Sequence, residues 1–168
     1  MGRTRQVTES TGSTAGTGGT ADAGPAPRLQ MSRLLGQVER QIARLLEGTL
    51  STEGLTVDQW RTLDLLADGD GHPMSELAGS LVVPGPTLTK IMDKLVDATL
   101  VYRLVDDRDR RRVLAFLSEE GRSLHTAIEP RVAAVEAEAV AGLGADALVL
   151  TDLLARLAEQ NAPAGARG

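Results

Sequence analysis

Apolar residues recur at helical spacing along most of the chain from Arg28 onward. Between Arg28 and Leu50 they return at steps of three and four residues, which is the pattern of an amphipathic helix. The same spacing predicts five more helices: one beginning at Leu55, a short one over Ser75–Val82, one over Gly85–Ala98, one from Ser118 to about Leu143, and one from Asp146 to about residue 160. Pro130 is expected to bend the fifth helix locally. The pattern therefore predicts a mainly α-helical protein.

The period changes between residues 100 and 117. Leu100–Val105 and Val113–Leu117 are short runs rich in β-forming residues, and they flank the charged segment Asp106–Arg112. Two such runs around a polar tip predict a β-hairpin. Two short helices followed by a hairpin are typical of a winged helix-turn-helix, whose second helix enters the major groove while the hairpin, or wing, reaches the minor groove. Residues 55–117 are predicted to form this unit, with the wing at 100–117.

Composition sets the chain ends apart and excludes several kinds of chemistry. Twenty of the first 27 residues are Gly, Ala, Ser, Thr or Pro, so residues 1–27 are expected to be a disordered tail, and residues 161–168 a loose end. The chain has no cysteine and two histidines, which excludes disulfides and thiolate sites and predicts neither a metal nor a cofactor. With no phosphate-binding loop or nucleophile motif, an enzyme is not predicted. No apolar run approaches the roughly 20 residues of a membrane helix, which favours a cytoplasmic protein with no membrane partner.

Basic residues are concentrated in one part of the chain. The net charge is −5, yet seven basic residues and five aspartates lie between Pro84 and Arg112. In the helix predicted there, Thr87 and Lys90 fall opposite the apolar stripe and can bond base edges, and Lys94 suits a phosphate. Taken alone, this mixed face is better explained as the face of an ordinary solvated helix.

The wing gives the stronger indication of function. Five arginines lie between Arg103 and Arg112, which is more than a turn requires. Guanidinium groups on a narrow ribbon suit the electronegative minor groove. The alternative is a solubilising loop in which aspartates neutralise the arginines. Together with the helices before it, the wing favours binding to double-stranded DNA.

Three segments resemble the MarR family of bacterial transcription regulators; they read LTVDQWRTLDLL, MSELAGSLVVPGPTLTKIMDKLVDATLVYR and DDRDRRRVLAFLSEEGR. The resemblance covers everything except the tails, from Arg28 to about Glu159. Its most specific part is the core of the wing, which precedes an alternating apolar strand and a Ser-Glu-Glu-Gly helix start. That core comprises Asp106, Asp109, Arg110 and Arg111.

The resemblance implies a homodimeric repressor on a pseudo-palindromic operator, formed by one domain over residues 28–160. Its first and last helices, 28–50 and 118–160, would interlock two subunits. The implied DNA contacts lie on the fourth helix and on the wing: Pro86, Thr87, Thr89, Lys90, Lys94, Arg108, Arg110 and Arg111. Asp106 and Asp109 are expected to support the wing arginines.

Two positions depart from the family pattern. Pro84 stands where the family commonly opens the recognition helix with a Ser or Thr cap, which removes a side-chain cap. Thr99 stands where the family commonly ends that helix with Gly, and a β-branched residue is costly in a left-handed conformation. We expect both ends of this helix to differ from the family pattern.

The resemblance also implies a small-molecule effector, often phenolic and anionic, bound between the dimerisation helices and the winged unit. Candidate pocket residues are Arg33, Arg40, Trp60 and His72, because an arginine can meet a carboxylate and an indole supplies apolar surface. Each also has a simpler interpretation, with Trp60 as a core anchor and the arginines solvated. The absence of cysteine excludes the thiol-switching branch of the family.

Two other functions remain open from the sequence. One is a constitutive regulator that has no ligand response, and the other is a winged-helix module that binds a protein partner instead of DNA. Salt-sensitive binding to duplex DNA distinguishes them, because a protein-binding module should show none.

Overall fold

The computed structural model describes residues 28–107 and 109–161, with the side chains of Arg28 and Leu29 left aside. The predicted tail at 1–27, the wing residue Arg108 and residues 162–168 lie outside the described residues. The α-helices of the described part are α1 (Arg28–Leu50), α2 (Val57–Leu65), α3 (Met74–Ser80), α4 (Gly85–Asp97), α5 (Glu119–Val140) and α6 (Asp146–Asn161). The strands are β1 (His72–Pro73), β2 (Val101–Val105) and β3 (Val113–Leu117). The predicted fold class, mainly helical with a β-hairpin wing, is confirmed.

The winged unit is held together by an aliphatic core under α2, α3 and α4. Helix α2 begins with a reciprocal cap, in which the Thr56 hydroxyl accepts from the Gln59 amide at 3.3 Å and the Gln59 side chain accepts from the Thr56 amide at 2.9 Å. Thr62 is fully buried with its hydroxyl donating to the Asp58 carbonyl, and the other most deeply buried residues of these three helices are apolar and at helical spacing: Leu63, Leu77, Leu88, Met92 and Leu95. Their burial fixes which side of α4 faces solvent.

The sheet contains one strand more than the hairpin that the sequence predicts. β3 pairs with β2 antiparallel, from Val101↔Leu117 to Val105↔Val113, and on its other edge with β1, in which His72 pairs with Ala115. A two-residue strand has no alternation that a pattern can reveal, and only pairing with β3 creates it. β1 connects the wing to the start of α3.

Helix α5 leads away from the winged unit and packs on α1. The Ser118 side chain caps it by accepting from the Gly121 amide at 2.9 Å, as the sequence predicts, and the helix continues past Pro130 to Val140. Chain direction then changes at residues 141–144, and α6 follows. In the described ranges no helix is both long and apolar enough to cross a membrane.

Candidate nucleic-acid interface

Helix α4 presents the predicted polar residues to solvent. Leu88, Ile91, Met92 and Leu95 are buried against the core, and the opposite side is exposed. That exposed side contains Pro86, Thr87, Thr89, Lys90, Asp93, Lys94 and Asp97. The division into a buried and an exposed side is the one that the spacing predicts, and it leaves two lysines free to meet an anionic partner.

The start of α4 has no side-chain cap within the described part of the chain. Pro84 occupies the N-cap position, and its carbonyl accepts from the amides of Thr87 at 2.9 Å and Leu88 at 3.1 Å. The Thr89 hydroxyl donates to the Gly85 carbonyl at 3.0 Å. The expected loss of the cap is therefore confirmed, and the positive end of the helix dipole lies next to the exposed face.

The end of α4 is strained, as the sequence predicts. Thr99 has a φ of 59°, which is left-handed, and its amide donates to the Val96 carbonyl at 2.9 Å. The Ser118 hydroxyl donates to the Thr99 carbonyl at 2.7 Å, and the Ser118 amide to the Leu100 carbonyl at 3.0 Å. These bonds tie the end of α4 to the start of α5 and hold the β-branched residue in place.

The wing tip is a turn organised by backbone hydrogen bonds. The Asp106 amide donates to the Arg112 carbonyl at 3.0 Å, and the Arg112 amide to the Asp109 carbonyl at 2.8 Å. The Asp109 carboxylate accepts from the Arg111 amide at 3.0 Å, so this aspartate supports the turn through the backbone. Arg110, Arg111 and Arg112 are exposed.

The ion pairs among the described residues do not involve the lysines and arginines predicted to contact DNA. Among the described residues, the side chains of Lys90, Lys94, Arg110 and Arg111 make no ion pair with a carboxylate. The segment from Pro84 to Arg112 contains seven basic residues and five aspartates, so its net charge is +2. Exposed cations of this kind are the groups through which a protein meets the phosphates of a duplex.

The residues predicted for a ligand pocket lie on α1, α2 and β1, and their part in binding a ligand stays a prediction. Trp60 is 4% exposed, as the core-anchor interpretation requires, and its ring stacks on His125 at 4.9 Å. Arg33 and Arg40 are exposed on α1. His72 lies elsewhere, beside β3. Within residues 28–107 and 109–161, no group of three or more His, Asp or Glu side chains could hold a metal ion.

His72 sits between two carboxylates. Its ring nitrogens lie 2.8 Å from Asp68 Oδ2 and 3.0 Å from Glu76 Oε1. Burial opposes the charged ring, but the hydrogen bonds that the ring donates to Glu76 and Asp68, together with the negative charges of these residues, outweigh it and raise the pKa of His72. These contacts give both ring nitrogens of His72 a partner, so a ligand is not needed to explain its position.

A cleft of about 470 Å³ lies between α1, α2 and the end of α3. Its wall includes Arg61, which donates to Glu39 at 3.2 Å, and Asp64, which accepts from His125 at 2.9 Å. The apolar part of the wall is Leu65, Leu81 and Val82. No residue of the predicted pocket lines this cleft in the described structure. The sequence could not indicate it, because its wall depends on how α1 packs on α2.

The chain is similar to known regulators over most of its length. The sequence model of the MarR family matches residues 55–113. The chain is 36% identical over 115 residues to the HTH-type transcriptional regulator FarR of Neisseria gonorrhoeae, covering 66% of this chain and 76% of that protein. It is similar to a structure of NadR in complex with 4-hydroxyphenylacetate, with 31% identity, a TM-score of 0.68, and coverage of 77% of this chain and 95% of that one.

A second similar structure contains operator DNA. A MarR mutant from Escherichia coli complexed with operator DNA has 27% identity and a TM-score of 0.68, covering 77% of this chain and 93% of that one. The element order, the exposed basic side of α4 and the arginine-rich wing agree with these likenesses. The chain belongs to the MarR family of winged-helix transcriptional regulators, whose members bind operator DNA.

Proposed function

We propose that the protein is a homodimeric repressor that binds a pseudo-palindromic operator through α4 and the wing and is released by a small organic ligand. The observation that carries the DNA-binding part is the set of exposed cations without a carboxylate partner among the described residues, Lys90 and Lys94 on α4 and Arg110 and Arg111 on the wing. The structure of a MarR mutant with operator DNA supports the same use of the fold. Pro86, Thr87 and Thr89 are proposed to lie against the bases, and Arg108 to join the wing contacts.

The homodimer is proposed from the apolar surface of the terminal helices. Helix α6 buries no residue within the described chain, and its Leu148 is 80% exposed. A groove of about 680 Å³ runs between α1 and the α5–α6 end, and its apolar wall includes Val38, Ile42 and Leu150. Apolar surface of this extent marks an interface. A second copy of the chain would cover it and set two α4 helices side by side.

Sedimentation velocity tests the dimer. Leu150→Glu places a charge in the groove and should give a monomer that has lost its affinity for the operator. Thr151→Glu adds the same charge to the polar side of α6 and should remain a dimer. A dimeric Leu150→Glu variant would show that this groove is not the subunit interface.

The operator is tested by selecting bound duplexes from random DNA at near-physiological salt. A dimer with two symmetric α4 helices should recover a two-fold motif with half-sites about 10 base pairs apart. A motif without symmetry would refute the dimeric arrangement. Recovery of no motif, with no salt-sensitive binding to any duplex, would favour the protein-binding alternative.

We propose that the effector binds in the cleft beside Arg61, and not at the residues that the sequence predicts. The wall of this cleft combines charged and apolar groups, and it includes none of Arg33, Arg40, Trp60 and His72. The ligand-bound structure of NadR supports a ligand-responsive regulator. The chain has one tryptophan, Trp60, whose ring stacks on His125. His125 in turn donates to Asp64, which belongs to the wall of the cleft. The fluorescence of Trp60 should therefore change when 4-hydroxyphenylacetate, used as the probe, binds and releases operator DNA; release with unchanged fluorescence would place the ligand elsewhere.

A further inference from the structure

An acidic residue lies in the middle of the exposed side of α4. Asp93 comes one helical turn after Thr89 and three residues after Lys90, and its side chain is 55% exposed. On a helix with 3.6 residues per turn this position faces the same way as the proposed DNA contacts. An uncompensated carboxylate there would repel the phosphates of a bound duplex.

Arg103 of β2 supplies the compensating charge. Its Nη2 donates to Asp93 Oδ1 at 2.8 Å. Arg103 pairs in register with Ala115, which is fully buried, so the arginine leaves the sheet on the side that faces α4. Tyr102 and Phe116, which point to the other side, stack on each other at 5.4 Å.

The position of the Arg103 guanidinium costs free energy. Arg103 Nε is buried and has no hydrogen-bond partner among the described groups. A buried donor without a partner is unfavourable, so packing against the sheet and the bond to Asp93 must hold the side chain in this position. The Arg103 side chain is 31% exposed, and its Nη2 group is directed at Asp93.

We propose that Arg103 is a positioning residue for DNA binding, which acts by keeping the carboxylate of Asp93 neutralised and turned toward the wing, without contacting phosphate itself. The proposal rests on the proposed function, since it needs α4 to face DNA. It gives Arg103 a role different from that of Arg110 and Arg111, which have no carboxylate partner among the described residues.

The test is a double-mutant cycle on the full chain. The variants are Arg103→Met, which keeps the apolar stem, Asp93→Asn, and the two together, each checked for an unchanged melting temperature. Affinity for a selected operator duplex is measured at several salt concentrations. Arg103→Met should weaken binding about tenfold, because the freed carboxylate meets the duplex in a partly desolvated interface. The added Asp93→Asn should restore affinity to within about threefold of the wild type, and Arg103→Lys should keep most of it.

The salt dependence of operator affinity distinguishes a positioning role of Arg103 from a direct contact with phosphate. Because Arg103 does not contact phosphate, the slope of log K against log salt should stay the same in all variants. A slope reduced by about 1.8 per dimer in Arg103→Met, with no rescue by Asp93→Asn, would show a direct phosphate contact and overturn the proposal. An affinity loss that follows the melting temperature and is not rescued would also overturn it, in favour of a purely structural role. If the wild type binds no duplex, the proposed function itself is wrong.

Discussion

Replacing Arg110 and Arg111 together by alanine tests the wing most directly. Both side chains are exposed at the tip, and the hydrogen bonds of the turn join backbone groups and the Asp109 carboxylate. Those bonds use none of the guanidinium groups. The double variant should therefore fold with an unchanged melting temperature, so that any loss of DNA binding reports on the contacts themselves.

The expected salt dependence of operator affinity follows from the number of cations that can contact phosphates. Each chain offers five to the proposed duplex: Lys90, Lys94, Arg108, Arg110 and Arg111. With ten such contacts per dimer, log K should fall with log salt at a slope of about −9, which is a loss of about 260,000-fold in affinity between about 50 and 200 mM salt. The double variant keeps about six of the contacts, so its slope should be about −5.4 and its loss about 1,800-fold.

Fluorescence anisotropy of a labelled operator duplex, titrated at five salt concentrations, measures these slopes. Arg122→Ala with Arg131→Ala removes the same charge from α5 and should leave the slope of the wild type. Arg110→Lys with Arg111→Lys keeps the charge and should keep the slope, while losing the planar fork that suits the minor groove. A wild-type slope in the alanine double variant would refute the contact of the wing with DNA.

Three further predictions concern the fold that positions this surface. Thr99→Gly relieves a left-handed β-branched residue and should stabilise the protein by about 1 kcal/mol, seen as a melting temperature higher by about 3 °C; a lower one would contradict the strain. Gly121→Ala sets a methyl group against the Leu100 carbonyl and should cost about 2 kcal/mol or more in urea unfolding, whereas no loss would show that α5 can shift. The raised pKa of His72 means that its stabilising charge is fully present below the unfolded value of about 6.5 and is lost as pH rises through the folded value. His72→Gln should therefore lower the free energy of unfolding more at pH 5.5 than at pH 8.5, and equal losses would contradict the ion pairs.

Local chemistry let the sequence determine the helices, the wing and the exposed side of α4. Helical spacing separates Leu88 and Met92 from Lys90 without reference to any other element, and the left-handed end at Thr99 follows from its position after a helix. Helix boundaries were less well determined: α3 ends at Ser80 and not at Val82, because Val82 itself takes a left-handed conformation. The amides of Val82 and Val83 donate to the carbonyls of Gly79 and Ala78 and close the helix there.

Only the tertiary structure decided which distant residues meet. The strand β1 exists because β3 lies beside it, and Trp60 is removed from solvent by His125 of another helix. The ion pair of Arg103 with Asp93 joins a strand to a helix, so neither residue's neighbours in the chain reveal it. Spacing along a chain fixes the face on which a side chain lies, whereas a contact between elements depends on how those elements pack. The sequence therefore determined the exposed polar surface of α4 and the wing, and the packing decided which of its charges are neutralised.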